Sequence, residues 1–145
     1  MKVLLVAEFR NGSPLGSNNE LVGFAQKIGA ESSMFIVGDG AQLPLFDGTL
    51  YLADASTYDE FNPDTHKQLL LSVIGTVKPD MVVFSHSSYG WDLAPRIAFA
   101  LKAAQISEVV DVVDGLPVVP VCNSKLRRQV QSRTEVTVVT LQAGA

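Results

Sequence analysis

The chain has 145 residues, enough for one domain with its own core. Its composition, 47% hydrophobic and 18% charged, is that of a folded protein on the apolar side and suits a sheet covered on both faces. A net charge of −4 argues against nucleic acid as the main partner, and no apolar run reaches the roughly 18 residues needed for membrane insertion.

The single cysteine, Cys122, excludes an intrachain disulfide and fits a reducing compartment. Met1 and Lys2 run straight into an apolar stretch with no small-residue cleavage site behind it. No secretory signal is expected, and the expected location is cytoplasmic.

Residues 3–7 are apolar and partly β-branched and predict a buried first strand ending at Glu8. Residues 10–16 are loop by composition. The spacing of Ser17 and Glu20 predicts a capping box for a helix that buries Leu21, Phe24, Ala25 and Ile28 and stops at Gly29. Residues 33–37 predict a second strand and 49–53 a third, with a loop over 41–48. Asn62 as cap and Pro63 in the first turn open a second helix. Its inward stripe is Leu69, Leu70, Val73, Ile74 and Val77, and Lys78 with Pro79 ends it.

Residues 80–84 predict a fourth strand. Asp92 is expected to cap a third helix, with Leu93, Ala94, Ile97, Ala98 and Leu101 inward and Pro95 tolerated in the first turn. Asp92 and Arg96 stand four apart and can pair. After Gln105 the strand-like stretches 108–113, 118–121, 125–131 and 135–141 follow one another with no helix between them. They predict an antiparallel C-terminal meander added to a parallel sheet. The alternation in the first 104 residues predicts a three-layer α/β/α fold with a mostly parallel sheet, and residues 1–145 read as a single domain.

The chain has no Walker loop, no G-x-G-x-x-G turn and no G-x-S-x-G elbow. His66, His86 and Cys122 lie far apart in sequence and do not suggest a metal site. Cys122 is expected to be a buried, inert thiol rather than a nucleophile paired with His86. Lys125, Arg127, Arg128 and Arg133 read as a solvated edge, with a patch for an anion or an acidic partner as the other reading.

The best candidate site is the loop after the fourth strand and the helix start behind it. Ser85, Ser87, Ser88, Gly90, Asp92 and Arg96 are the candidate cofactor-binding residues. The loop offers three hydroxyls, the His86 imidazole and free N–H groups at a helix N-terminus, a setting that suits a phosphate. Three readings stay open: simple helix capping with Tyr89 and Trp91 as packing, a contact surface for a partner anchored by Trp91, or a small anion or nucleotide site.

Four ordered segments carry a family resemblance. Leu4-Leu-Val-Ala-Glu8 resembles the opening strand of electron transfer flavoprotein α subunits. Ser88-Tyr-Gly-Trp-Asp-Leu-Ala-Pro-Arg96 is similar to that family's Asp-Leu-X-Pro-Arg helix start. Gln105-Ile-Ser-Glu-Val109 and Val136-Thr-Val-Val-Thr-Leu141 resemble the segments that follow in the family's N-terminal domain. Pro120-Val-Cys-Asn-Ser124 keeps the Asn of the family's turn but lacks its Gly.

The resemblance implies an α-subunit-related scaffold for a flavin-dependent electron carrier. It implies a partner that is β-subunit-like or carries the flavin domain. In the family FAD sits mainly in a C-terminal domain with a Gly-Arg-Gly-type motif, and no such motif occurs here. FAD is therefore expected to reach this chain only through partners. The fold also resembles the adenine-nucleotide alpha hydrolase-like group, so a stand-alone module binding AMP is the alternative function. A homo-oligomer formed through the meander edge is a third reading. Catalysis by the chain alone is not indicated, because no acid–base or nucleophile set can be named.

Overall fold

The computed structural model describes residues 1–144. The elements are, in chain order, β1 (Lys2–Val6), β2 (Phe9–Arg10), β3 (Ser13–Pro14), α1 (Asn18–Lys27), β4 (Glu31–Gly38), β5 (Thr49–Asp54), α2 (Ala55–Tyr58) and α3 (Pro63–Val77). Then come β6 (Met81–Ser85), α4 (Ser88–Leu101), β7 (Ala104–Val109), β8 (Asp111–Val113), β9 (Leu116–Val121), β10 (Leu126–Gln129) and β11 (Thr137–Leu141).

Six strands form one parallel sheet in the order β5-β4-β1-β6-β11-β7. The middle strands are apolar along their whole length because both faces are covered. Leu4, Val6, Val82, Phe84 and Val138 point to one face and pack under α3 and α4 through Leu70, Ile74, Leu93 and Ile97. Val3, Leu5, Val83 and Val139 point to the other and pack against Leu21, Phe24 and Ala25 of α1 and Val119 of β9. One outer layer is thus two helices. The other combines α1 with the small antiparallel sheet β10-β9-β8.

The helix boundaries follow local chemistry in part. At α3, Asn62 Oδ1 accepts from the Thr65 amide at 3.3 Å, Pro63 opens the helix and Lys78 ends it at φ 52°. At α1 the expected capping box is absent. Ser17 already has helical backbone angles and its side chain caps nothing. Glu20 instead accepts the Gly144 amide at 3.2 Å. Its carboxylate serves the far end of the chain, so the local motif is overridden by a tertiary contact.

At α4 the cap is Ser87, not Asp92: the Ser87 hydroxyl accepts the Gly90 amide at 3.1 Å. Asp92 consequently lies in the second turn, and Pro95 lies beyond the first turn rather than within it. Pro95 removes one i→i−4 bond from the helix interior, on the side where Pro95 is exposed and water can reach the freed carbonyl. The Asp92–Arg96 pair forms at 3.5 Å as expected.

The C-terminal meander is also smaller than the sequence predicts. Of the strands expected in it, β8, β9 and β10 are the antiparallel ones. The last strand, β11, enters the main sheet between β6 and β7 and is parallel to both. All five of its residues are buried, which a central position provides and a surface meander does not. Its neighbour β7 starts at Ala104, earlier than expected, and Glu108 at φ 59° lies where its register against β11 shifts before Val109.

Candidate functional site

The sheet changes direction between β1 and β6. From β1 the chain moves outward through β4 and β5, then returns by α3 to place β6 on the other side of β1. In open α/β sheets the crevice beyond the strand ends at such a point is the usual place for a ligand. Here its walls are the residues just after β1 and just after β6.

Glu8 forms the floor. It follows the buried Val6-Ala7 end of β1 and is only 4% exposed. Asn18 fixes its backbone from α1: the Glu8 amide donates to Asn18 Oδ1 at 2.8 Å and the Asn18 amide donates to the Glu8 carbonyl at 2.9 Å. The Ser87 hydroxyl donates to Glu8 Oε2 at 2.7 Å. Burial raises the Glu8 carboxyl above its ordinary pKa, partly offset by this hydrogen bond and by the Arg10 guanidinium.

Behind Glu8 stands a buried polar relay. The Tyr89 hydroxyl lies 2.8 Å from His66 Nδ1, and His66 Nε2 faces the carbonyls of Asp59 at 2.8 Å and Tyr58 at 3.2 Å. Two carbonyls can only accept, so Nε2 carries a hydrogen, and in the neutral ring Nδ1 accepts from Tyr89. Burial, and secondarily the Glu8 charge, pushes the Tyr89 phenol well above its usual pKa.

The six sequence-predicted residues do not all converge. Ser85, Ser87 and Gly90 form the rim above Glu8, and the Ser87 amide donates to the Ser85 carbonyl at 2.9 Å. Gly90 is required there, because a Cβ would lie 2.0 Å from the Ser85 carbonyl oxygen. Ser88 is exposed in the first turn. Asp92 and Arg96 lie along α4, where Arg96 also donates to Asp64 at 2.9 Å, and these contacts hold the helix to the start of α3.

Sequence reasoning missed Glu8, Tyr89 and His66 as one cluster. Its only local signal was a charged residue directly after an apolar strand. His86 points toward the other side of β6, with Nδ1 at 3.0 Å from Thr140 and Nε2 at 3.4 Å from Glu108. Cys122 is exposed in the turn between β9 and β10, contrary to the expectation of a buried thiol, because the tight left-handed turn at 122–124 points it outward from the small sheet.

The space beside Glu8 is too small for a nucleotide or flavin diphosphate. The N-terminus of α4, which would attract a phosphate, already faces the Glu8 carboxylate through Ser87. The space next to Glu8, bounded by Ala7, Phe9, Arg10, Val37, Glu60 and Tyr89, is ≈ 10 Å³, about one water-sized centre.

A family model described as "electron transfer flavoprotein domain" matches residues 3–145. The chain belongs to the electron transfer flavoprotein family. Among its relatives is the electron transfer flavoprotein subunit alpha of Bacillus subtilis (strain 168), 27% identical over 119 residues, or 77% of this chain and 37% of that protein. The subunit alpha of Mycobacterium tuberculosis (strain H37Rv) is 23% identical over 152 aligned positions, 99% of this chain and 48% of that protein. The subunit alpha of Syntrophomonas wolfei is 24% identical over 114 residues. The chain spans less than half the length of these curated relatives. The segments that resemble electron transfer flavoproteins fall on β1, the first half of α4, β7 and β11. Two of them, β1 and α4, frame the crevice. Among the described residues no helix is long and apolar enough to cross a membrane.

Proposed function

We propose that this chain is the scaffold and partner-binding part of a flavin-dependent electron carrier, related to the α subunit of electron transfer flavoproteins. The observation that carries the reading is the family match along residues 3–145, which takes in every strand of the central sheet. FAD belongs to the assembled carrier and is held by residues outside the crevice described here. The partner is a β-subunit-like or flavin-domain protein, and the working location is the cytoplasm.

The geometry of the crevice supports a structural role. Its polar groups are turned on one another: Ser87 on Glu8, Tyr89 on His66, Asn18 on the Glu8 backbone. Nothing in that set transfers electrons without a cofactor. Charged Arg127 and Arg128 on the exposed edge strand β10 oppose sheet pairing between copies, so the partner is a different chain rather than a second copy joined at that edge.

The test is co-purification of the chain with a β-subunit-like protein and a flavin-domain protein, followed by a visible spectrum of each fraction. The expected result is a flavin band in the complex and a colourless isolated chain. A chain that retains added FAD by itself after desalting, or that joins neither partner, overturns the proposal.

A further inference from the structure

Glu8 has one carboxylate oxygen in use and one idle. Oε2 is fixed by the Ser87 hydroxyl at 2.7 Å, and this bond also fixes the direction of Oε1. Oε1 is buried and, among the described residues, receives no hydrogen bond. The nearest cation, Arg10, stops 3.9 Å short and is itself 43% exposed, so it rests on the rim rather than on the oxygen. A buried carboxylate oxygen without a donor is costly, of order 1–3 kcal/mol or more for a charged group.

The space beside Glu8 is small and acidic. Its lining includes a second carboxylate, Glu60, against the single guanidinium of Arg10. Glu60 is held in place by the amides of Asn11 and Gly12, at 2.8 and 3.1 Å, in the turn between β2 and β3. The local sum is one negative charge in excess. The faces around it are apolar or aromatic: Phe9, Val37 and Tyr89. Two carboxylates with an aromatic wall and room for one small group favour a cationic hydrogen-bond donor over an anion.

We propose that the crevice at the β1–β6 switch point is a receptor for a primary ammonium head, which donates to Glu8 Oε1 and is balanced by Glu60. The same chemistry serves a free ammonium ion and the tip of a lysine side chain presented by another protein. The site neither uses nor requires a flavin, so it stands apart from the electron-carrier reading. Arg10 is its competitor: the guanidinium and the guest are attracted to the same oxygen and repel each other.

The experiment is a titration of the intact, isotope-labelled chain with ammonium chloride, n-butylammonium chloride and tetramethylammonium chloride at fixed ionic strength. It is followed through the Glu8 carboxyl carbon and the amides of Asn11, Gly12 and Tyr89. Saturable shifts are expected with ammonium, with a midpoint in the millimolar range, and none with tetramethylammonium, which has no N–H to donate. Shifts with n-butylammonium as well identify a lysine tip as an acceptable guest, and shifts with ammonium alone identify the free ion; both support the site. Glu8→Gln is expected to abolish the shifts, and Arg10→Ala to lower the midpoint severalfold. Equal shifts with all three salts, or no saturable shift with either N–H cation, overturn the proposal, and the wild-type chain suffices for that comparison.

Discussion

The hydroxyl of Ser87 stands 2.7 Å from Glu8 Oε2, across 79 residues of sequence, and joins the end of β1 to the start of α4. The Ser87 hydroxyl oxygen in turn accepts the Gly90 amide at 3.1 Å. One serine therefore caps a helix and partners a buried carboxylate at once. Ser87→Ala removes both interactions. It is expected to cost about 1–2 kcal/mol, more than an ordinary cap, because the Glu8 carboxylate then loses the one hydrogen bond it accepts among the described residues. Urea unfolding measures this, and a loss below about 0.5 kcal/mol would show that the Glu8 contact contributes nothing to stability.

Glu8 should also impose a pH dependence. Its folded pKa is raised, so between the unfolded pKa and the higher folded one the native state holds more protons than the unfolded state. Stability from this group is fully present below the unfolded value and falls as pH rises through that window. The groups facing Glu8 are Arg10 and Ser87, which favour its charged form, and Glu60 and Tyr89 in the crevice wall. Asp54 and Asp111 are shifted downward by hydrogen bonds and contribute the opposite slope at lower pH, so the wild-type curve alone does not isolate Glu8. The difference between wild type and Glu8→Gln does. The variant is expected to gain relative stability steadily from acid toward neutral pH, and parallel curves would contradict the burial of a strained carboxylate.

Gly90→Ala tests the close approach of α4 to β6. The added Cβ would lie 2.0 Å from a backbone oxygen, which cannot swing aside as a side chain can. The expected loss is about 3 kcal/mol or more, or failure to fold. Gly23→Ala, in α1 with open space around its Cβ position, is the control and should be neutral or mildly stabilising. Thermal melts of the two variants side by side would separate a contact effect from a helix-propensity effect.

Much of the sheet was legible because its strands are short apolar runs bounded by turn residues. β1, β4 and β6 and the Asn62-Pro63 start of α3 needed no tertiary information. The failures have a common cause. Ser17, Glu20, Ser87 and Asp92 are all sound capping residues by type, and a three-dimensional partner decides which of them caps. Glu20 is taken by Gly144, whereas Ser87 is selected by Glu8 and by the space only Gly90 leaves. The place of β11 was hidden for the same reason. An apolar run records that a strand is buried but not which neighbours bury it. The site itself was half legible: the loop after β6 was identified, but Glu8, Tyr89 and His66 meet only through contacts distant in sequence.

The Tyr89–His66 pair offers the last test. The phenol and the imidazole are both buried, 2.8 Å apart, and their rings meet edge to face at 5.5 Å. Tyr89→Phe keeps the ring packing but leaves His66 Nδ1 without its donor, for an expected loss of about 1–3 kcal/mol. His66→Phe leaves the Tyr89 hydroxyl and the Asp59 carbonyl without the imidazole, and a loss of similar or larger size is expected. The two groups share one bond, so the double variant should cost less than the sum of the singles by about 1 kcal/mol. Additive losses in urea unfolding would mean that the hydroxyl and the ring each rely on other partners. Coupling would make this pair the anchor that fixes the segment between α2 and α3 against the first turn of α4, and thereby the wall of the crevice above Glu8.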